Sequence, residues 1–138
     1  MASLLLAEWA RHNSNFRRVV FTTPHAQWVL MSVPAGGQIG EETHGRVYQS
    51  FFFVSGTGKA IVDGVSERVR GGDTVRVPPG TTHNFINTGR HPLKLYTIYS
   101  PPNHIDGRIQ KTKRAADLDK ADEAFGRRVE QGRKKRTR

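Results

Sequence analysis

Cysteine is absent from the 138-residue chain. That excludes disulfide staples and thiolate metal sites, and leaves His, Glu, Asp and Gln as the ligand-type side chains. Long apolar runs are also missing, since nothing approaches the ~20 residues needed to cross a bilayer. Leu4-Leu5-Leu6 has no basic flank before it and is too short an apolar stretch for a secretory signal. These absences together predict a cytoplasmic protein with no membrane contact. At this length the chain is one domain's worth, enough to bury a core but too short for two.

Charge is plentiful but unevenly placed. Of the formal +10, residues 1–107 contribute ten Lys/Arg against seven Asp/Glu, a net of +3, and residues 108–138 contribute twelve against five, a net of +7. The basic character therefore belongs to a C-terminal appendage.

Ser3 to Arg11 reads as a short helix with Ser3 as N-cap and Leu5 and Trp9 on one face. From Phe16 the pattern turns to β-branched and aromatic runs: 16–21, 27–33, 48–54, 59–62, 65–69, 74–77, 85–87 and 93–99. Asp63-Gly64 between two such runs is a type I′ hairpin signal, because both turn positions want φ > 0. Short strands punctuated by turns predict an all-β sandwich or barrel, with a small antiparallel barrel preferred. Beyond Pro101-Pro102, Lys113 to Gln131 reads as one helix with Leu118, Ala121, Phe125 and Val129 as its apolar stripe. Gly132 to Arg138 has nothing apolar to bury and reads as disordered.

Two Gly-anchored segments carry the chemistry. The first runs from Gly36-Gly37-Gln38-Ile39-Gly40 through Glu42-Thr43-His44 and Gln49 to Gly56; the second runs from Gly72-Asp73 through Pro78-Pro79-Gly80 and His83 to Asn87. Strand alternation puts Glu42 with His44 on one face, Gln49 with Phe51 and Phe53 on another, and His83 with Phe85 and Asn87 on a third. If those faces line a barrel interior, Glu42, His44, Gln49 and His83 converge in an apolar pocket with a few polar groups, the usual form of a small-molecule site.

The two segments resemble the paired motifs of the cupin superfamily. Cupins show a Gly leading to a His-x-His pair, a Glu and a further Gly; here Gly36 leads at the same spacing to Glu42-x-His44, then Gln49, then Gly56. Gly72, Pro78, Gly80, His83 and Asn87 fit the second motif without adjustment. Further likeness, at Asn15–Val19, Leu30–Ser32, Leu93–Tyr99 and Pro101-Pro102-x-His104, points to a bacterial single-domain group described as mannose-6-phosphate isomerase-like, over about Asn15 to Lys113. The resemblance implies a double-stranded β-helix, a jelly-roll barrel, at 15–107, with an N-terminal helical extension at 1–14 and a basic helical and disordered appendage at 108–138. It implies one divalent metal ion held by Glu42, His44 and His83, with Gln49 as a neutral fourth donor. Two His and a carboxylate suit Fe(II), with Mn(II), Zn(II) and Ni(II) open. Tyr48, Phe52 and Ser55 stand where that group commonly has Asp, Arg and Glu, which speaks against a charged substrate.

The implied activity is a metal-dependent isomerase or dioxygenase acting on an oxygenated small molecule such as a sugar or keto acid. The alternative is a non-catalytic cupin subunit. Tyr96, Tyr99 and His104 are candidates for an acid/base set at the pocket mouth, against a plainer reading in which the tyrosines pack and His104 caps a loop. Phe52, outward on its strand, is either ordinary surface or, as the cupin resemblance implies, a sheet-to-sheet or subunit contact, which predicts a homodimer. The basic run 127–138 is either a solvated tail or an electrostatic dock for nucleic acid or another polyanion.

Overall fold

Inward residues alternate with outward ones along the long strands, and the structure closes those inward faces on one another. The computed structural model describes residues 3–136, with side chains as far as Gly132. Nine strands follow in order: β1 (Arg17–Thr22), β2 (Gln27–Val33), β3 (Tyr48–Ser55), β4 (Thr57–Val62), β5 (Val65–Arg70), β6 (Thr74–Val77), β7 (His83–Asn87), β8 (Leu93–Ser100) and β9 (Ile109–Gln110). They form an antiparallel six-stranded sheet, β6-β3-β8-β2-β1-β9, facing a three-stranded sheet, β5-β4-β7. Between the sheets lie Phe51, Phe53, Phe85, Val29, Met31, Leu93 and Leu95. The Phe51 and Phe85 rings meet at 4.2 Å. This is the all-β jelly-roll architecture expected.

The Asp63-Gly64 hairpin forms as predicted, with φ of 52° and 81° and Val62 opposite Val65. β2 departs from simple alternation, with Leu30 and Ser32 buried as well as Val29, Met31 and Val33. The reason is helix α1 (Leu6–His12), which packs on the outer side of β2 and β8.

Helix α1 corrects an expectation. It starts at Leu6 behind Leu5, with no side-chain cap, so Ser3 is not the N-cap. Ala10 is its buried residue, while Leu5 and Trp9 stay exposed at 54% and 37%.

The C-terminal segment is also corrected. β9 pairs with β1, Arg17 opposite Gln110, so the sheet continues past the boundary placed at residue 107. The single helix over 113–131 is two helices, α2 (Lys113–Asp117) and α3 (Lys120–Arg136). Asp119 breaks the run: its Oδ1 accepts the amide of Asp122 at 3.1 Å, an N-cap that restarts the helix. Leu118 sits in the break, 63% exposed, and is no part of a buried stripe. Helix α3 passes Gly132 to reach Arg136, where disorder was expected.

Asn87, the last residue of the second motif, has a structural task. Its Nδ2 donates to the carbonyls of Val33 and His91 at 2.8 and 2.9 Å, and its Oδ1 accepts the amide of Gly89 at 2.9 Å. Asn87→Ala strands all three backbone groups and should cost about 2–4 kcal/mol of stability, read as a lowered urea midpoint at unchanged slope.

Candidate metal centre

The segment before β3 is zipped along β7. Asn87 N donates to Gly37 O, and Ile39 N to Phe85 O, each at 2.9 Å. Glu42 and His83 then exchange both backbone hydrogen bonds, again at 2.9 Å. Gly40, at φ 112°, lets the chain bend between these contacts while Asn84 Oδ1 accepts its amide at 2.9 Å. The carbonyl of His44 accepts Gly80 N at 2.7 Å, which ties the first motif to the turn of the second.

This backbone brings three ligand-type side chains together. One ligand atom each from Glu42, His44 and His83 lies within 4.8 Å of the others. Two donors ~2.1 Å from one ion lie roughly 3–4 Å apart, so the group fits a single ion after small rotations. Nε2 of His44 and Nε2 of His83 are both buried and have no hydrogen-bond partner. His83 Nδ1 lies 3.0 Å from the carbonyl of Thr81, which fixes Nδ1 as the donor and leaves the Nε2 lone pair free. Burial holds the His44 pKa below its ordinary value; nearby Glu42 opposes that shift and His83 adds to it. Burial thus favours the neutral form of His44, the form that ligates metal.

Gln49 faces the same interior and is 1% exposed. Its Nε2 donates to Thr97 Oγ1 at 3.1 Å, while its Oε1 is another buried atom without a partner. Orphaned buried acceptors of this kind carry a desolvation cost that an ion would remove.

A sequence model of the Cupin domain family matches residues 29–99. The chain belongs to the cupin family. It is 41% identical over 110 residues to Bacillus subtilis YrkC, a protein of uncharacterized function, covering 75% of this chain and 59% of that one. The crystal structure of BH2720 from Bacillus halodurans superposes with a TM-score of 0.83 at 34% identity, over 84% of this chain and 92% of that one. A predicted oxalate decarboxylase from Thermotoga maritima shares the fold at TM-score 0.55 and 20% identity, over 57% and 69% of the two chains. This cupin spans about three fifths of the length of YrkC. Among the described residues no helix is long and apolar enough to cross a membrane.

The cupin barrel opens on a cavity of about 340 Å³ whose walls include Glu42, His44, Arg17 and His104. Helices α2 and α3 supply further wall, through Lys113, Asp117, Asp122, Gly126 and Glu130. The supposed appendage is therefore part of the site. Tyr48, Phe52 and Ser55 do not line this cavity. Phe52 stacks on Tyr96 at 4.8 Å, and both are half-buried residues alternating with the buried positions of their strands. Tyr96 is accordingly on the outer face of β8 and drops out of the acid/base set.

His104 stays, in different company. It is buried, with Nδ1 2.6 Å from Asp122 Oδ2 and Nε2 3.1 Å from the Tyr99 hydroxyl. Burial raises Tyr99 to about 12, so it remains protonated. Burial also lowers His104, with the Arg17 charge adding to that and Asp122 opposing it. For Asp122, burial pushes upward, but the His104 hydrogen bond and the other donors leave its carboxyl below the usual range. The consistent state is neutral His104 donating from Nδ1 to an ionised Asp122 and accepting from Tyr99.

Three cavity residues had no motif to announce them. Asp122 reads as a helix N-terminal acid, and Arg17 as one of two adjacent arginines on a strand. Glu130 sits in a charged run, yet its Oε1 is buried without a partner and its charge raises the His44 pKa. The basic run 127–138 divides: Arg127 pairs with Glu123 at 2.9 Å and lines the cavity, and Arg128 lies 5.9 Å from the Phe125 ring. The side chains after Gly132 lie outside the described residues.

Because His104 titrates lower when folded than its ordinary 6.5, the unfolded chain binds more protons between those two values. Stability should fall as pH drops from about 6.5 through the folded value, with Asp122 adding a further loss once pH passes below the ordinary carboxylate range. Urea titrations between about pH 8 and about pH 5 should show that loss in wild type and a shallower one in His104→Asn.

Proposed function

We propose that this cupin holds one divalent metal ion through Glu42, His44 and His83, with Gln49 as a neutral fourth donor, and acts on an oxygenated small molecule in the adjoining cavity. What carries it is the pair of buried, unpartnered Nε2 atoms of His44 and His83, in a trio with Glu42 whose ligand atoms lie within 4.8 Å of one another. The two-His-one-carboxylate set is the type that suits Fe(II) and leaves coordination positions open. A divalent ion bound there supplies Lewis-acid polarisation or, as Fe(II), redox chemistry.

The protein's own groups then bind, orient and handle protons. His104 lines the cavity and is kept neutral by burial, its tautomer set by Asp122. Glu130 supplies a carboxylate that is not part of the ligand trio, a proton acceptor close enough to sense His44. Phe16 and Ile39 form apolar cavity wall that limits water around the reacting atoms.

Metal analysis tests the proposal. Protein purified after supply of Fe(II), Mn(II) or Zn(II) should carry about one ion per chain, and the His44→Ala/His83→Ala double variant close to none. A bound ion should also raise the unfolding midpoint, by about 2.7 kcal/mol of added stability at a hundredfold excess over Kd. Wild type without stoichiometric metal under these conditions overturns the reading.

A further inference from the structure

Arg17 is 7% exposed and is one of the residues lining the cavity that holds Glu42 and His44. Nη1 donates to Gln110 Oε1 at 2.8 Å, and the Phe16 ring stands 5.2 Å from the guanidinium carbon. Nε is buried and has no acceptor. Among the described residues no carboxylate forms an ion pair with Arg17. A buried cation without a counter-charge is costly, and proteins seldom keep one without a use for it.

Four acids of the C-terminal segment, Asp117, Asp119, Asp122 and Glu123, are engaged elsewhere. Asp122 serves His104, Gln110 and the amide of Ile105. Asp119 takes both ends of the Arg108 fork, at 2.8 and 2.6 Å. Asp117 and Glu123 pair with Lys113 and Arg127. Gln110 stands between Arg17 and this acid group, its Oε1 on the guanidinium and its Nε2 on Asp119 and Asp122. A neutral amide holds the guanidinium in place without discharging it.

We propose that Arg17 anchors the carboxylate of a small organic acid, an α-keto or α-hydroxy acid whose second oxygen reaches the ion held by Glu42, His44 and His83. The substrate class rests on the metal reading above. Guanidinium matches carboxylate geometry with paired N–H donors, and Gln110 takes Nη1 while Nε has no acceptor. Lys113 and Arg127 also line the cavity but pair with Asp117 and Glu123, which leaves Arg17 as the lining cation without an ion pair among the described residues. The residues whose lost charge spoke against a charged substrate, Tyr48, Phe52 and Ser55, lie off this wall.

Zn(II)-loaded full-length protein is titrated calorimetrically with pyruvate, lactate, hydroxyacetone and inorganic phosphate. Wild type should bind the two acids, and Arg17→Gln should bind them about 10–100-fold more weakly while keeping its zinc and its weaker affinity for hydroxyacetone. In wild type, pyruvate should also shift the Arg17 Nε–H resonance, a reading that needs no variant to fold. Loss of zinc from wild type would defeat the metal assignment. The carboxylate anchor is overturned by zinc-loaded wild type that ignores both acids or prefers phosphate, by Arg17→Gln binding them undiminished, or by pyruvate binding that leaves Nε–H unmoved.

Discussion

The reciprocal backbone hydrogen bonds between Glu42 and His83 are the constraint on which the site depends. They join two stretches forty-one positions apart in the chain into a single rung, with a candidate ligand at each end. Everything nearby serves to hold that rung. Asn84 braces the bend at Gly40, Gly80 fixes the carbonyl of His44, and Thr81 orients the His83 ring. Because the backbone sets the ligand spacing, the side chains need only small rotations to meet a common point. Positioning of this kind reduces the entropy lost when an ion binds.

Around that rung the protein has two kinds of polar interior. One is closed: Gln27 bonds Thr22, the His104 carbonyl and two loop amides, so its burial is fully compensated. The other is left open at His44, Gln49, His83 and Arg17, each with a buried atom lacking a partner. Of the residues with such atoms, His44, Arg17, Asn103 and Glu130 line the cavity, and they share that wall with the fully bonded His104 and Asp122.

How much was legible in the sequence follows from the range of each interaction. Strands were readable because alternation is local, and β2 and β6 fall on the expected residues. Glu42, His44 and His83 were readable because turn-forming glycines mark their spacing. Tyr96 was misplaced, since the parity of β8 puts it on the face opposite Tyr99. Asp119 falls inside the single helix expected over 113–131, whereas it is the cap that divides two helices. Arg17, Asp122 and Glu130 stayed hidden because their roles arise only when β9 pairs with β1 and brings α3 over the barrel mouth. No local period encodes that return.

The placement of α3 separates two properties that many sites combine. The trio of ligand-type residues lies within 42–83, inside the stretch matched by the cupin family, while Asp122, Gly126 and Glu130 lie well beyond it. On the proposed function, selectivity for a guest molecule can therefore drift through changes in one peripheral helix without disturbing the candidate ion site in the barrel. Relatives that keep the trio but differ in this helix should be expected to share an inorganic preference and diverge in diet.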